Sequence, residues 1–98
     1  MYATCFTLLT GAQMDQLINE VVVIDVEPLY VYLGRLVEFS EKTITLKDAD
    51  VHDLRDSMTT RERYVLDARH DGVTPNRKLV YIRQDQIISI SALQDVVE

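Results

Sequence analysis

The chain has 98 residues, of which 47% are apolar and 27% charged, the composition of one globular domain and too apolar for a disordered segment. Asp and Glu number 16 against 10 Lys and Arg, a net charge of −6, which counts against a general DNA or membrane-surface binder. A single cysteine, Cys5, excludes an intramolecular disulfide and a zinc site of clustered thiolates.

No apolar run reaches the roughly 18 residues that cross a bilayer. The apolar start Tyr2–Leu9 lacks the basic region of a signal peptide, because the first basic side chain is Arg35. These features predict a cytoplasmic chain with no membrane partner. Next, Thr10 is placed to cap a short helix whose apolar face is Met14, Leu17 and Ile18. VVVIDVE is β-branched and alternates Val22, Ile24 and Val26 with Val23, Asp25 and Glu27, which predicts a strand. Pro28 marks a turn or an edge, since it cannot donate to a ladder. LYVYLGRLVEF predicts a longer second strand, with Gly34 at a sharp bend. TITLKDADV predicts a third, with Ile44 and Leu46 on one face.

TTRERYVLDARHDG predicts a helix. Thr59 or Thr60 is its N-cap, Arg63 and Asp67 are paired at i and i+4, and Gly72 is the left-handed stop. Tyr64, Val65 and Ala68 form its apolar face. KLVYIRQDQIISISAL then holds two short strands joined at Gln84-Asp85. Five short strands in about 70 residues are most economically bent into a small barrel. The expected fold is mainly β: a five-stranded, strongly bent barrel of SH3-like type with an N-terminal helix and a helical insertion between strands three and four. The expected organisation is one domain over 1–98. It comprises an arm and helix in 1–19, three strands in 20–54, the insertion in 55–77 and two strands in 78–94.

GRLVEFSEKTITLKDAD resembles the first signature of the Sm and Sm-like proteins, Gly-x-Leu-x-x-Phe-Asp-x-x-x-Asn-Leu-x-Leu-x-Asp-Ala. Gly34, Leu36, Phe39, Ile44, Leu46, Asp48 and Ala49 fit it. YIRQDQIISI resembles the second, Ile-Arg-Gly-x-x-Val-x-x-Ile, through Ile82, Arg83, Ile87 and Ile90. The resemblance implies the Sm barrel and closure into a homo-oligomeric ring, by pairing the fourth strand of one subunit with the fifth of the next. It also implies non-catalytic RNA binding at a uridine pocket, and by family position that pocket falls on Ser40, Thr43, Arg83 and Gln84. The pocket is degenerate. Ser40 and Thr43 stand where the family has an Asp–Asn pair, Gln84 replaces a Gly, and no aromatic side chain or His lies between Phe39 and Ile44 to stack on a base. The competing reading is a homo-oligomeric protein-binding scaffold of Sm fold that has lost RNA binding.

The remaining signals are ordinary. Arg83 is either an RNA contact or an arginine held by a carboxylate such as Asp85. Asp48, Asp50 and His52 in DADVHD have a spacing that rarely means a metal, so no metal or cofactor is expected. His70 suits the last turn of the inserted helix, and Cys5 is a packed residue rather than a nucleophile. Arg55, Arg61, Arg63, Arg69, Arg77 and Lys78 are interleaved with acids and read as a solubilising face. Tyr32 and Tyr81 read as packed within strands. No enzyme motif is present.

Overall fold

A computed structural model describes residues 11–26, 29–56 and 59–97. Its elements in chain order are α1 (Gly11–Asp15), β1 (Val21–Val26), β2 (Tyr30–Phe39), β3 (Thr43–Asp53), α2 (Arg61–Asp71), β4 (Arg77–Arg83) and β5 (Ile87–Ala92). The strands form one antiparallel sheet in the order β4-β3-β2-β1-β5. Thr10, Cys5, Pro28 and the apolar start Tyr2–Leu9 lie outside the described residues.

The sheet bends because two register breaks fall on β2, between Leu33 and Arg35 and between Leu36 and Glu38. Such bulges increase local twist and coil the sheet on itself. Gly34 sits at the first break, and its role is space. A Cβ built there would lie 3.0 Å from the Ala49 Cβ and 3.1 Å from its Cα. Opposite the break, Asp48 takes a left-handed φ of 52°.

The concave face holds the main core. Val22, Ile24 and Val26 of β1, Leu36 of β2, Ile44 and Leu46 of β3, Ile82 of β4 and Ile87 of β5 point into it. Met14 of α1 is buried over the open end, with Leu17 and Ile18 packed beside it from the turn that follows the helix.

A second core lies on the convex face. Val23 of β1, Val31 and Leu33 of β2, Val65 of α2 and Leu93 are buried together, with Tyr64, Ala68 and Val73 packed against them. This explains why β1 is apolar at five of six positions: α2 covers the face that a lone barrel would leave to water. The helix starts at Thr60, whose hydroxyl accepts from Arg63 N at 3.1 Å, and stops at Gly72, which has a φ of 90°. Arg63 and Asp67 are 3.9 Å apart on its exposed side.

Three expectations change. The first helix ends at Asp15, so Leu17 and Ile18 lie in the turn after it rather than on its apolar face. The third strand runs on to Asp53, beyond the predicted Val51. Tyr81 is not packed: it is 66% exposed, because β4 ends the sheet and no described residue covers its convex side.

Candidate nucleic-acid interface

Ser40, Thr43, Arg83 and Gln84, far apart in sequence, meet at one corner of the sheet. Thr43 opens β3 and pairs in register with Arg83, the last residue of β4. The β2–β3 turn is held by its own hydroxyls. Ser40 N donates to the Thr43 carbonyl at 2.8 Å, Thr43 N and Lys42 N each donate to Ser40 Oγ at 3.2 Å, and the two hydroxyls are 3.2 Å apart. Ser-type side chains favour such turns because they offer local backbone a partner.

Gln84 stitches the two turns together. Its backbone N–H donates to the Lys42 carbonyl at 2.8 Å, and its side-chain amide donates to the Ser40 carbonyl. A Gly at this position could make only the first bond. Gln84 therefore adds a brace between the turns that a Gly would lack. The cost is access, since the amide occupies the ground between them. Arg83 is exposed and bonded to Asp85 Oδ2 at 2.7 Å, so its charge is locally compensated.

The arrangement is a polar, solvent-facing corner with one arginine and several hydroxyl and amide groups. It can donate hydrogen bonds to a phosphate or a base edge. No aromatic side chain lies between Phe39 and Ile44 to stack on a base, and among the described residues the corner has no carboxylate–histidine pair for acid–base chemistry.

The DADVHD segment is used structurally. Asp50 accepts from the Tyr64 hydroxyl and from Asn76 Nδ2 at 3.2 Å, while the His52 ring stacks on Tyr64 at 4.1 Å and 14°. Among the described residues no group of three His, Cys, Asp or Glu side chains is placed to hold a metal ion. The inserted bases are largely paired as well: Arg55 with Asp53, Arg61 with Asp25 and Glu62, and Arg63 with Asp67. Sequence reasoning missed the Arg61–Asp25 pair, since nothing local links residues 36 apart.

No family model and no curated protein matches the sequence. Solved structures do. The Sm protein of Pyrococcus abyssii in complex with a uridine heptamer has a TM-score of 0.58 at 16% identity, over 86% of this chain and 99% of its own. The P. aerophilum SmAP1 heptamer has a TM-score of 0.58 at 19% identity, over 84% and 89%. A chain of the NatC complex bound to CoA has a TM-score of 0.57 at 11% identity, over 90% and 94%. At these identities the likeness establishes the fold: an Sm-like barrel, mainly β, with an N-terminal helix.

Proposed function

We propose that this chain closes with copies of itself into a ring and contacts single-stranded RNA, without catalysis, through the corner of Ser40, Thr43, Arg83 and Gln84. The observation that carries the ring is the pair of open sheet edges. Among the described residues β4 and β5 each have a neighbour on one side only, and both put large apolar side chains into water: Leu79 and Tyr81 on β4, 48% and 66% exposed, and Ile88 on β5, 55% exposed. Open edges of this kind are templates for pairing with another chain. Two different edges meeting head to tail give a heterologous contact that closes into a ring when the rotation allows. The P. aerophilum relative is described as a heptamer, and the P. abyssii relative as bound to a uridine heptamer.

Repetition around a ring raises the avidity of a weak contact for an RNA that spans several copies. This suits a corner whose single arginine already has a partner. The test is native mass followed by titration with oligo-U and oligo-A at two salt concentrations. A discrete assembly that binds RNA more tightly at low salt is expected. A monomer, or a ring that binds neither oligomer at low salt, rejects the reading.

The second reading is a protein-binding scaffold of the same fold. The Gln84 brace and the lack of an aromatic side chain between Phe39 and Ile44 favour it, and one structural neighbour is a chain of the NatC complex. A partner protein recovered in a pull-down that withstands nuclease treatment is its expected signature.

A further inference from the structure

A groove of about 530 Å³ opens where α1 hands over to β1, and it shares no residue with the Ser40–Arg83 corner. Its apolar walls are Val21, at the start of β1, and Leu93, just after β5. Two arginines from separate elements line it, Arg35 of β2 and Arg69 of the last turn of α2. Arg35 is fixed by donating to the Asn19 carbonyl at 2.5 Å, while Asn19 is held in a left-handed φ of 69°. The Arg69 side chain makes no hydrogen bond or ion pair with any described residue. Among the described residues the groove has one carboxylate, Glu20, which accepts from Gln94 Nε2 at 3.3 Å. The described lining therefore carries two positive charges against one negative, on a chain whose net charge is −6.

We propose that this groove binds a phosphate monoester of nucleoside-monophosphate size. One guanidinium fork saturates the two oxygens of a carboxylate, whereas a phosphate monoester has three terminal oxygens and can engage two forks at once. Its charge at neutral pH, about −1.5 to −2, also matches two arginines better than a carboxylate does. Val21 and Leu93 give the remainder of the ester an apolar surface, and the Gln94 amide lies beside it. This inference does not depend on the RNA reading.

The test is calorimetric titration of the full chain with uridine monophosphate, uridine and inorganic phosphate. Uridine monophosphate is expected to bind most tightly and uridine not at all. Arg69→Gln, at an exposed position, is expected to weaken uridine monophosphate by about tenfold, as loss of a charge-assisted fork does. Glu20→Gln is expected to tighten it by about threefold, as removal of one nearby like charge does. Arg83→Gln is expected to leave it unchanged, which separates this groove from the RNA corner. Binding is expected to tighten from pH 5 to 7, as the phosphate loses its second proton near pH ~6. The proposal is overturned if uridine or inorganic phosphate binds as well as the ester. It is equally overturned if Arg69→Gln changes nothing while the variant's melting curve matches the parent's.

Discussion

Arg61, at the start of α2, grips Asp25 of β1 with two N–H groups, each 2.5 Å from a carboxylate oxygen. Ser89 of β5 donates to the same carboxylate at 2.7 Å. The pair joins residues 36 apart and clamps the inserted helix over the convex face. Without α2, Val23, Val31 and Leu33 would face water. We expect Arg61→Ala to cost about 1–2 kcal/mol, the range for a charge-assisted bond that is part-exposed, because it leaves Asp25 half-buried with only Ser89. Urea unfolding measures this, and faster amide exchange confined to α2 would locate it.

The same clamp sets a pH dependence. Burial pushes the Asp25 carboxyl up, but the Arg61 and Ser89 hydrogen bonds and the Arg61 charge outweigh it and leave the group below its ordinary value of 3.8. A carboxyl lowered in the folded state stabilises the fold above its unfolded value, and that contribution is lost as pH falls through the folded value. We therefore expect acid sensitivity below about pH 3.8 that is smaller in Asp25→Asn. Equal acid midpoints for the two proteins would contradict this.

At Gly34 the expected effect is steric. A Cβ there meets the Ala49 Cβ at 3.0 Å and the Leu46 Cβ at 3.3 Å. Gly34→Ala is expected to destabilise by about 1–3 kcal/mol, the usual range for overpacking a tight core. Gly34→Ala combined with Ala49→Gly should recover part of the loss, since the pair is in contact and its effects are not additive. A double variant no better than the sum of the singles would place the constraint in the backbone instead.

Much of this was legible in the chain. Thr60, Gly72 and the Arg63–Asp67 spacing announce α2, and strict alternation in Thr43–Leu46 and Val80–Ile82 announces strands, because caps and periodicity are local. The corner of Ser40, Thr43, Arg83 and Gln84 was legible through the family resemblance. What the Gln84 side chain does there was not, because its partner, the Ser40 carbonyl, is 44 residues away. Tyr81 was misread for a related reason: alternation tells which residues share a face, not whether anything covers that face. The stacking of His52 on Tyr64 and the placing of Arg35 beside Arg69 depend on α2 folding back over the sheet. No window of sequence carries that information.

Tyr64 ties α2 to β3. Its hydroxyl donates to Asp50 and its ring stacks on His52. Burial, then the hydrogen bond to Asp50 and the Asp50 charge, raise the phenol above its ordinary value of 10. We expect Tyr64→Phe to cost about 1 kcal/mol and Tyr64→Ala about 3–4 kcal/mol, since the second also removes the packed ring. With the phenol raised in the folded state, its stabilisation holds below pH 10 and is lost as pH rises through the folded value. Ultraviolet titration should show one tyrosine ionising last, and that signal should vanish in Tyr64→Phe.

Asp85 competes with any phosphate for Arg83, through the 2.7 Å bond between them. On the RNA reading, Asp85→Asn frees the guanidinium and removes a negative charge. Oligo-U affinity should rise by about threefold to tenfold and its salt dependence should steepen. Arg83→Gln should lower affinity, with no change in native mass. If Asp85→Asn leaves oligo-U binding unaltered while Arg83→Gln also has no effect, the corner is not the contact surface, and the scaffold reading gains.

The ring reading predicts an asymmetric response to charge at exposed apolar positions. Tyr81 and Ile88 lie on the two open edges, whereas Val97, 86% exposed, lies beyond β5. Burying an exposed tyrosine or isoleucine at a subunit contact contributes about 2 kcal/mol, so Tyr81→Glu or Ile88→Glu should weaken each contact by about thirtyfold or more. Either single change breaks every contact of a head-to-tail ring, because each interface uses one β4 and one β5. Mixing Tyr81→Glu with Ile88→Glu subunits should restore one unaltered interface and give dimers. An isologous contact formed by β4 alone would not behave this way: Ile88→Glu would leave the assembly intact. Native mass spectrometry of the two variants, separately and mixed, distinguishes these outcomes, with Val97→Glu as the control that should keep the parent's mass.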